Sequence, residues 1–182
     1  MKLRMNVIDA FTDCNFKGNS AAVIITEEWL ADELMQSIAI ENNLSETAFV
    51  KKINKERFEI RWFSPLTEID FCGHATLASA FVLFADEPDL STITFYAKAV
   101  GELTVSRAAN GYIEMSFPNR KPEPVSDIPA DLLNGLSKAP VEVLQSEQAY
   151  FAVYENETDV LEVTQNKERI KKLAPYDVVI TA

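Results

Sequence analysis

Histidine and cysteine are scarce in this sequence of 182 residues, which holds one histidine, His74, and two cysteines, Cys14 and Cys72. Two thiols exclude a disulfide framework, and with a single histidine they are too few for a zinc set of cysteines and histidines. Basic residues are outnumbered, 17 Lys and Arg against 28 Asp and Glu, for a formal charge of −11. That balance argues against nucleic acid and anionic membrane as partners, although a local pocket can still take a small anion. No apolar run is long enough to span a bilayer, and the opening MKLRMNVIDAF lacks the apolar core of a signal peptide. Charge blocks are absent and 47% of the residues are hydrophobic, so the chain is expected to fold, and to reside in the cytoplasm.

What is present concentrates in Asp70-Phe71-Cys72-Gly73-His74-Ala75-Thr76. A strand that enters a helix through a glycine leaves free backbone N–H groups at the helix start. Those groups and the helix dipole attract a carboxylate or another anion. The helix that follows, Ala75 to Ala85 (ATLASAFVLFA), has almost no polar face and is expected to be buried all round.

Strands are expected at Val7–Phe11, Ala21–Thr26, Glu46–Ile53, Arg57–Phe63, Ile93–Tyr96, Gly101–Arg107 and Tyr112–Phe117, from their β-branched, aromatic and alternating residues. Gly18-Asn19 supplies the φ freedom for a bend over Phe16–Ser20. Glu27–Asn42 carries apolar residues at helical spacing, with Thr26 as its cap. The economical architecture is a strongly curved sheet wrapped around the apolar helix. Pro118 to Pro124 is a proline-rich polar linker. Beyond it, a short helix is expected at Ala130–Ser137 and another at Asn166–Leu173. Strands are expected at Val141–Gln145, Tyr150–Tyr154, Asp159–Val163 and Asp177–Thr181. The last of these is an edge that a second copy of the chain could pair with.

Four side chains could carry chemistry, each with a plainer alternative. Glu46, between Ser45 and Thr47 at the rim of a core, could shuttle a proton; the alternative is an ordinary glutamate held by its two hydroxyl neighbours. His74 could orient a carboxylate or act as acid or base, or could simply bond backbone. Cys72 could be a thiolate activated by the helix N-terminus, or a small buried hydrophobe. Asp9 could anchor the loop that carries Gly18 and Asn19, or could face water at a strand end.

The segments Ile8-Asp9-Ala10-Phe11-Thr12 with Lys17-Gly18-Asn19-Ser20-Ala21-Ala22-Val23, Asn43 to Phe49, Arg61-Trp62-Phe63-Ser64-Pro65 with Glu68 to Thr76, Gly101 to Val105, and Met115 to Pro118 together resemble the phenazine-biosynthesis-type isomerase family, relatives of diaminopimelate epimerase. The resemblance implies an α+β, diaminopimelate-epimerase-like fold. Its curved, mostly antiparallel, barrel-like sheet would wrap a central helix at about residues 74–85, and a partial second copy would follow. The domains would be 1–118, a linker at 119–124, and an incomplete 125–182, because the family's Asp-Pro-x-Thr-Gly-Ser type segment is not reached before Ala182. The implied chemistry is cofactor-independent isomerisation or epimerisation of a small carboxylate-bearing metabolite, with no metal. Glu46 would move the proton, while Ser45, Gly73 and His74 would contact the substrate in a cleft between the halves. Cys72 would occupy the place where the related epimerases keep a catalytic thiol, although the glutamate carries the chemistry in the phenazine-type branch. The implied partners are a small anionic metabolite and a second copy of the chain. The alternative expectation is a truncated, non-catalytic fragment, or a half-protein whose site another chain completes.

Overall fold

The computed structural model describes residues 2–117 and 119–182, so the linker start expected at Pro118 lies outside the described residues. The chain divides into two compact units, Met1–Phe117 and Pro118–Ala182.

In the first unit, β1 (Met5–Ala10) and β2 (Asn19–Thr26) form an antiparallel hairpin that sets Asp9 opposite Ser20. Helix α1 (Asp32–Asn42) then leads into β3 (Glu46–Lys52), which runs parallel to β2 with Ala21 beside Glu46. The antiparallel β4 (Arg57–Phe63) follows, and then the two-residue β5 (Glu68–Ile69). Next come α2 (Gly73–Asp86), β6 (Thr92–Ala97), β7 (Gly101–Arg107) and β8 (Ile113–Met115). The sheet order is β1-β2-β3-β4-β6-β7-β8, with β5 beside β4. Only the β2–β3 and β4–β6 pairs are parallel, so the sheet is mostly antiparallel as expected.

Strand alternation decides which residues meet which helix. Val23, Val50, Ile60, Trp62, Phe95 and Val105 point to the inner face and form one cluster with the α2 residues Ala75, Ala78, Val82 and Leu83. Ile24, Phe49 and Phe63 point outward, where Met35 and Ala39 of α1 cover them. Because α2 touches both β1 and β8, the two ends of the sheet, the sheet curls around it.

Three expectations for this unit change. The α2 helix is not buried on every side: Phe81 is 51% exposed, and Leu77 and Ala85, one turn to either side, are half-buried and exposed. The curled sheet does not close between β1 and β8, and one apolar strip is left uncovered. The helix expected from Glu27 begins at Asp32, and its N-cap is Ala31, with no side-chain cap. Thr26 cannot serve there because its backbone is still paired with Lys51, and its hydroxyl is buried without a partner among the described residues. In the β1–β2 loop the left-handed residues are Phe11 and Phe16, with φ of 65° and 63°, rather than Gly18. Gly18 is required by close approach instead, since a Cβ there would lie 2.3 Å from the Ala10 carbonyl oxygen.

In the second unit, β9 (Glu123–Pro124), β10 (Glu142–Gln145), β11 (Ala149–Val153) and β12 (Asp177–Thr181) form a sheet in the order β12-β11-β10-β9. Thus two residues assigned to the linker from composition pair with Leu144 and Gln145. Helix α3 (Ala130–Leu133) stops four residues short of the expected end, where Gly135 packs against the Asp131 carbonyl. The strand expected at Asp159–Val163 is instead α4 (Glu157–Glu162), because Asn156 caps it by accepting the Asp159 N–H at 3.0 Å. Helix α5 (Lys167–Ile170) continues as a 3₁₀ turn, Lys171–Leu173. Leu132, Val143, Tyr150, Ala152, Tyr154 and Leu173 make the core. The final strand β12 lies parallel to β11 at one end of the sheet.

Candidate active site

The parallel pairing of β2 with β3 lines up Ser20, Ser45 and Glu46 at one end of the sheet, and α2 begins beside them. Its cap residue Cys72 is extended, and neither a side-chain cap nor an acidic residue in the first turn occupies the helix N-terminus. A Cβ at Gly73 would meet only the edge of Phe71, at 3.9 Å.

His74 is the centre of the cluster. Its Nδ1 lies 3.2 Å from Cys72 Sγ, and its Nε2 lies 3.3 Å from Ser45 Oγ and 3.2 Å from Glu46 Oε2. Both ring nitrogens therefore face side chains, which removes the backbone-bonding alternative. The side chains of His74 and Glu46 are 11% and 18% exposed. The Glu46 oxygen sits close to the ring but off the line of its N–H, and among the described residues it accepts no hydrogen bond. Its hydroxyl neighbours do not hold it either: Thr47 Oγ1 accepts from Asn42 at 3.1 Å, and Ser45 donates to the Ser20 carbonyl at 3.4 Å.

Cys72 is not an activated thiolate. Burial pushes its thiol from the ordinary value of 9.0 up to about 12, and the Glu46 charge adds to the rise. The backbone N–H groups of Ala75 and His74 act the other way and do not offset the desolvation. A thiol that keeps its proton can donate it to Nδ1, the arrangement that goes with the Nε2–H tautomer of the ring. Ser45, which gives its own hydrogen to Ser20, can then accept from Nε2–H.

Asp9 is an anchor and does not face water as a strand-end residue. One carboxylate oxygen takes the Ser20 hydroxyl, and the other accepts the Phe16 N–H at 3.0 Å. It braces the β1–β2 loop and, through Ser20, the strand that receives Ser45. Sequence reasoning passed over Ser20, whose place opposite Asp9 appears only with the hairpin register. Histidine and cysteine counts also missed a grouping that the fold makes, in which Glu46 joins Cys72 and His74 in one cluster. A hollow of about 680 Å³ lies elsewhere, lined by Trp29, Arg61, Glu68, Tyr96 and Lys98 among others, and contains none of these groups.

A curled sheet around a central helix defines an α+β protein with an epimerase-like fold. A protein from Pseudomonas aeruginosa described as a predicted epimerase shares this fold, with a TM-score of 0.69 at 22% identity over 98% of this chain and 70% of that one. The chain belongs to the PhzC-PhzF family, described as phenazine biosynthesis-like protein, whose model matches residues 8–181. An uncharacterized isomerase of Pseudomonas aeruginosa is 42% identical over 182 residues, covering 100% of this chain and 69% of that protein. The crystal structure of a phenazine biosynthesis PhzF-family protein from Enterococcus faecalis superposes with a TM-score of 0.87 at 37% identity, over 99% of this chain and 68% of that one. The chain thus spans about two thirds of the length of these relatives. No helix among the described residues is long and apolar enough to cross a membrane.

Proposed function

We propose that this chain moves a proton on a small carboxylate-bearing metabolite without a cofactor, as an isomerase or epimerase. One observation carries the reading: a glutamate oxygen is buried, has no hydrogen-bond donor among the described residues, and is placed beside the uncapped start of a helix. A general base needs a free lone pair, and most buried carboxylate oxygens lack one because a donor has taken it. Glu46 removes the proton from carbon and returns it at a neighbouring position. The substrate carboxylate docks at the N–H groups of Gly73 and His74, with Ser45 fixing the imidazole. That relatives are described as isomerases supports the reaction class.

The test is exchange of carbon-bound hydrogen in D2O, followed by NMR over a panel of small unsaturated and hydroxy carboxylic acids. Glu46→Gln should lower exchange by roughly 10²-fold or more, the range for loss of a general base. Undiminished exchange in that variant would overturn the assignment.

In a second reading, a further chain, a second copy or another, completes the site. It is favoured by the one-sidedness of the cluster, all of whose residues fall between Asp9 and Thr76. Light scattering that finds only monomers, together with turnover by those monomers, would sink it.

A further inference from the structure

The cluster at Glu46 combines the proton-transfer carboxylate with a thiol and an imidazole in one possible metal-ligand set. A Cys72 sulfur, a His74 ring nitrogen and a Glu46 carboxylate oxygen all lie within 4.8 Å of one another. Thiolate, imidazole and carboxylate are all zinc ligands. Bond lengths of about 2.0–2.3 Å put the ligands of a tetrahedral zinc roughly 3.3–3.8 Å apart, so the set closes when the Glu46 carboxylate, whose Oε2 lies at Nε2, swings toward the Nδ1 side of the ring. The Sγ–Nδ1 separation of 3.2 Å is already that short. If Nδ1 binds the ion, Nε2–H is left on Ser45 at 3.3 Å, the outer hydrogen bond that orients a metal-bound histidine. The Glu46 oxygen, which has no donor among the described residues, fits the same set, since a buried carboxylate lone pair without a partner is what a cation satisfies.

We propose that Glu46, Cys72 and His74 bind one zinc ion, and that zinc, by taking the Glu46 carboxylate, shuts off proton transfer. The shut-off rests on the proton-transfer reading above; the binding does not. On binding, the Cys72 S–H bond breaks, a zinc–sulfur bond forms, and the proton leaves to solvent. One thiolate and one carboxylate then neutralise the divalent charge. Three protein ligands leave a fourth position for water or a substrate oxygen, as in open zinc sites. No oxidant or reductant is involved, since zinc keeps its valence.

Cobalt(II) reports the site directly, because a thiolate on cobalt gives a near-ultraviolet charge-transfer band. Cys14 is the other, exposed thiol, so the measurement uses the full chain carrying Cys14→Ser. The expected result is one cobalt per chain with the band present, and displacement of the band by one equivalent of zinc. Cys72→Ser should abolish the band, while His74→Gln and Glu46→Gln, with unchanged far-ultraviolet circular dichroism, should each weaken binding by roughly tenfold or more. No band in the Cys14→Ser protein, a band that survives Cys72→Ser, or an affinity indifferent to His74→Gln would overturn the site. Zinc that binds yet leaves deuterium exchange untouched would overturn the shut-off. Absence of all exchange in metal-free protein would overturn the proton-transfer reading and the shut-off with it, while the cobalt band still decides the metal site.

Discussion

Cys72 Sγ stands 3.2 Å from His74 Nδ1, and the direction of this contact is tied to which nitrogen of the ring carries its proton. The thiol stays protonated because burial outweighs the helix N-terminus around it. Donation from this thiol to Nδ1 leaves Nε2–H for Ser45.

The tautomer is open to measurement, since His74 is the chain's single histidine. ¹⁵N-histidine NMR of the neutral ring should show Nε2 protonated and Nδ1 bare. Cys72→Ala removes the donor and should mix the two tautomers. A spectrum dominated by Nδ1–H in the unsubstituted protein would contradict the hydrogen-bond direction argued here.

Cys72 should also be slow toward thiol reagents. At pH 8 in metal-free buffer, iodoacetamide should modify the exposed Cys14 and leave the buried Cys72 at least about tenfold less modified by mass spectrometry, because the thiolate is the reacting form. The same shift has a stability consequence. Between the ordinary 9.0 and about 12 the unfolded chain sheds this proton while the folded chain keeps it. The contribution is therefore complete below pH 9 and is lost as pH rises toward 12. In urea melts over that window, Cys72→Ala should flatten the alkaline fall relative to the unsubstituted protein.

Gly18→Ala should destabilise the first unit. The added Cβ would lie 2.3 Å from the Ala10 carbonyl oxygen and 2.7 Å from Thr12 Cγ2, so the β1–β2 loop must move. A loss of about 1–3 kcal/mol in denaturant unfolding, followed by tryptophan fluorescence, is expected for overpacking against backbone. Both tryptophans, Trp29 and Trp62, lie in the first unit and report on it.

Asn156→Ala should weaken the second unit by about 1 kcal/mol, the usual cost of losing a side-chain cap. The amide of Asp159, which Asn156 now holds at 3.0 Å, should lose hydrogen-exchange protection first. Unchanged protection there would mean that α4 does not depend on its cap.

Several features were legible in sequence. The β-branched and aromatic runs marked most strands, and Gly101–Arg107 and Arg57–Phe63 match residue for residue. The apolar run after Gly73 marked the central helix. The strand expected at Asp159–Val163 failed because Val160, Leu161 and Val163 read as a β run, whereas the Asn156 cap that turns them into a helix lies outside that run. The start of α1 failed for a related reason, since Thr26 looks like a cap until its pairing with Lys51 is known.

The sequence by itself determined the class of fold and carried the family resemblance that singles out Glu46, His74 and Ser45, because hydrophobic period and motif spacing are local properties of the chain. Only the tertiary structure decided what those groups face. The parallel register of β2 and β3 sets Ser20 and Ser45 at one strand end, the buried start of α2 keeps the Cys72 proton in place, and the Glu46 oxygen is left without a donor. Hydrogen-bond partners and desolvation depend on residues far apart in sequence, here Asp9 with Ser20 and Ser45 with His74, and no local pattern encodes them.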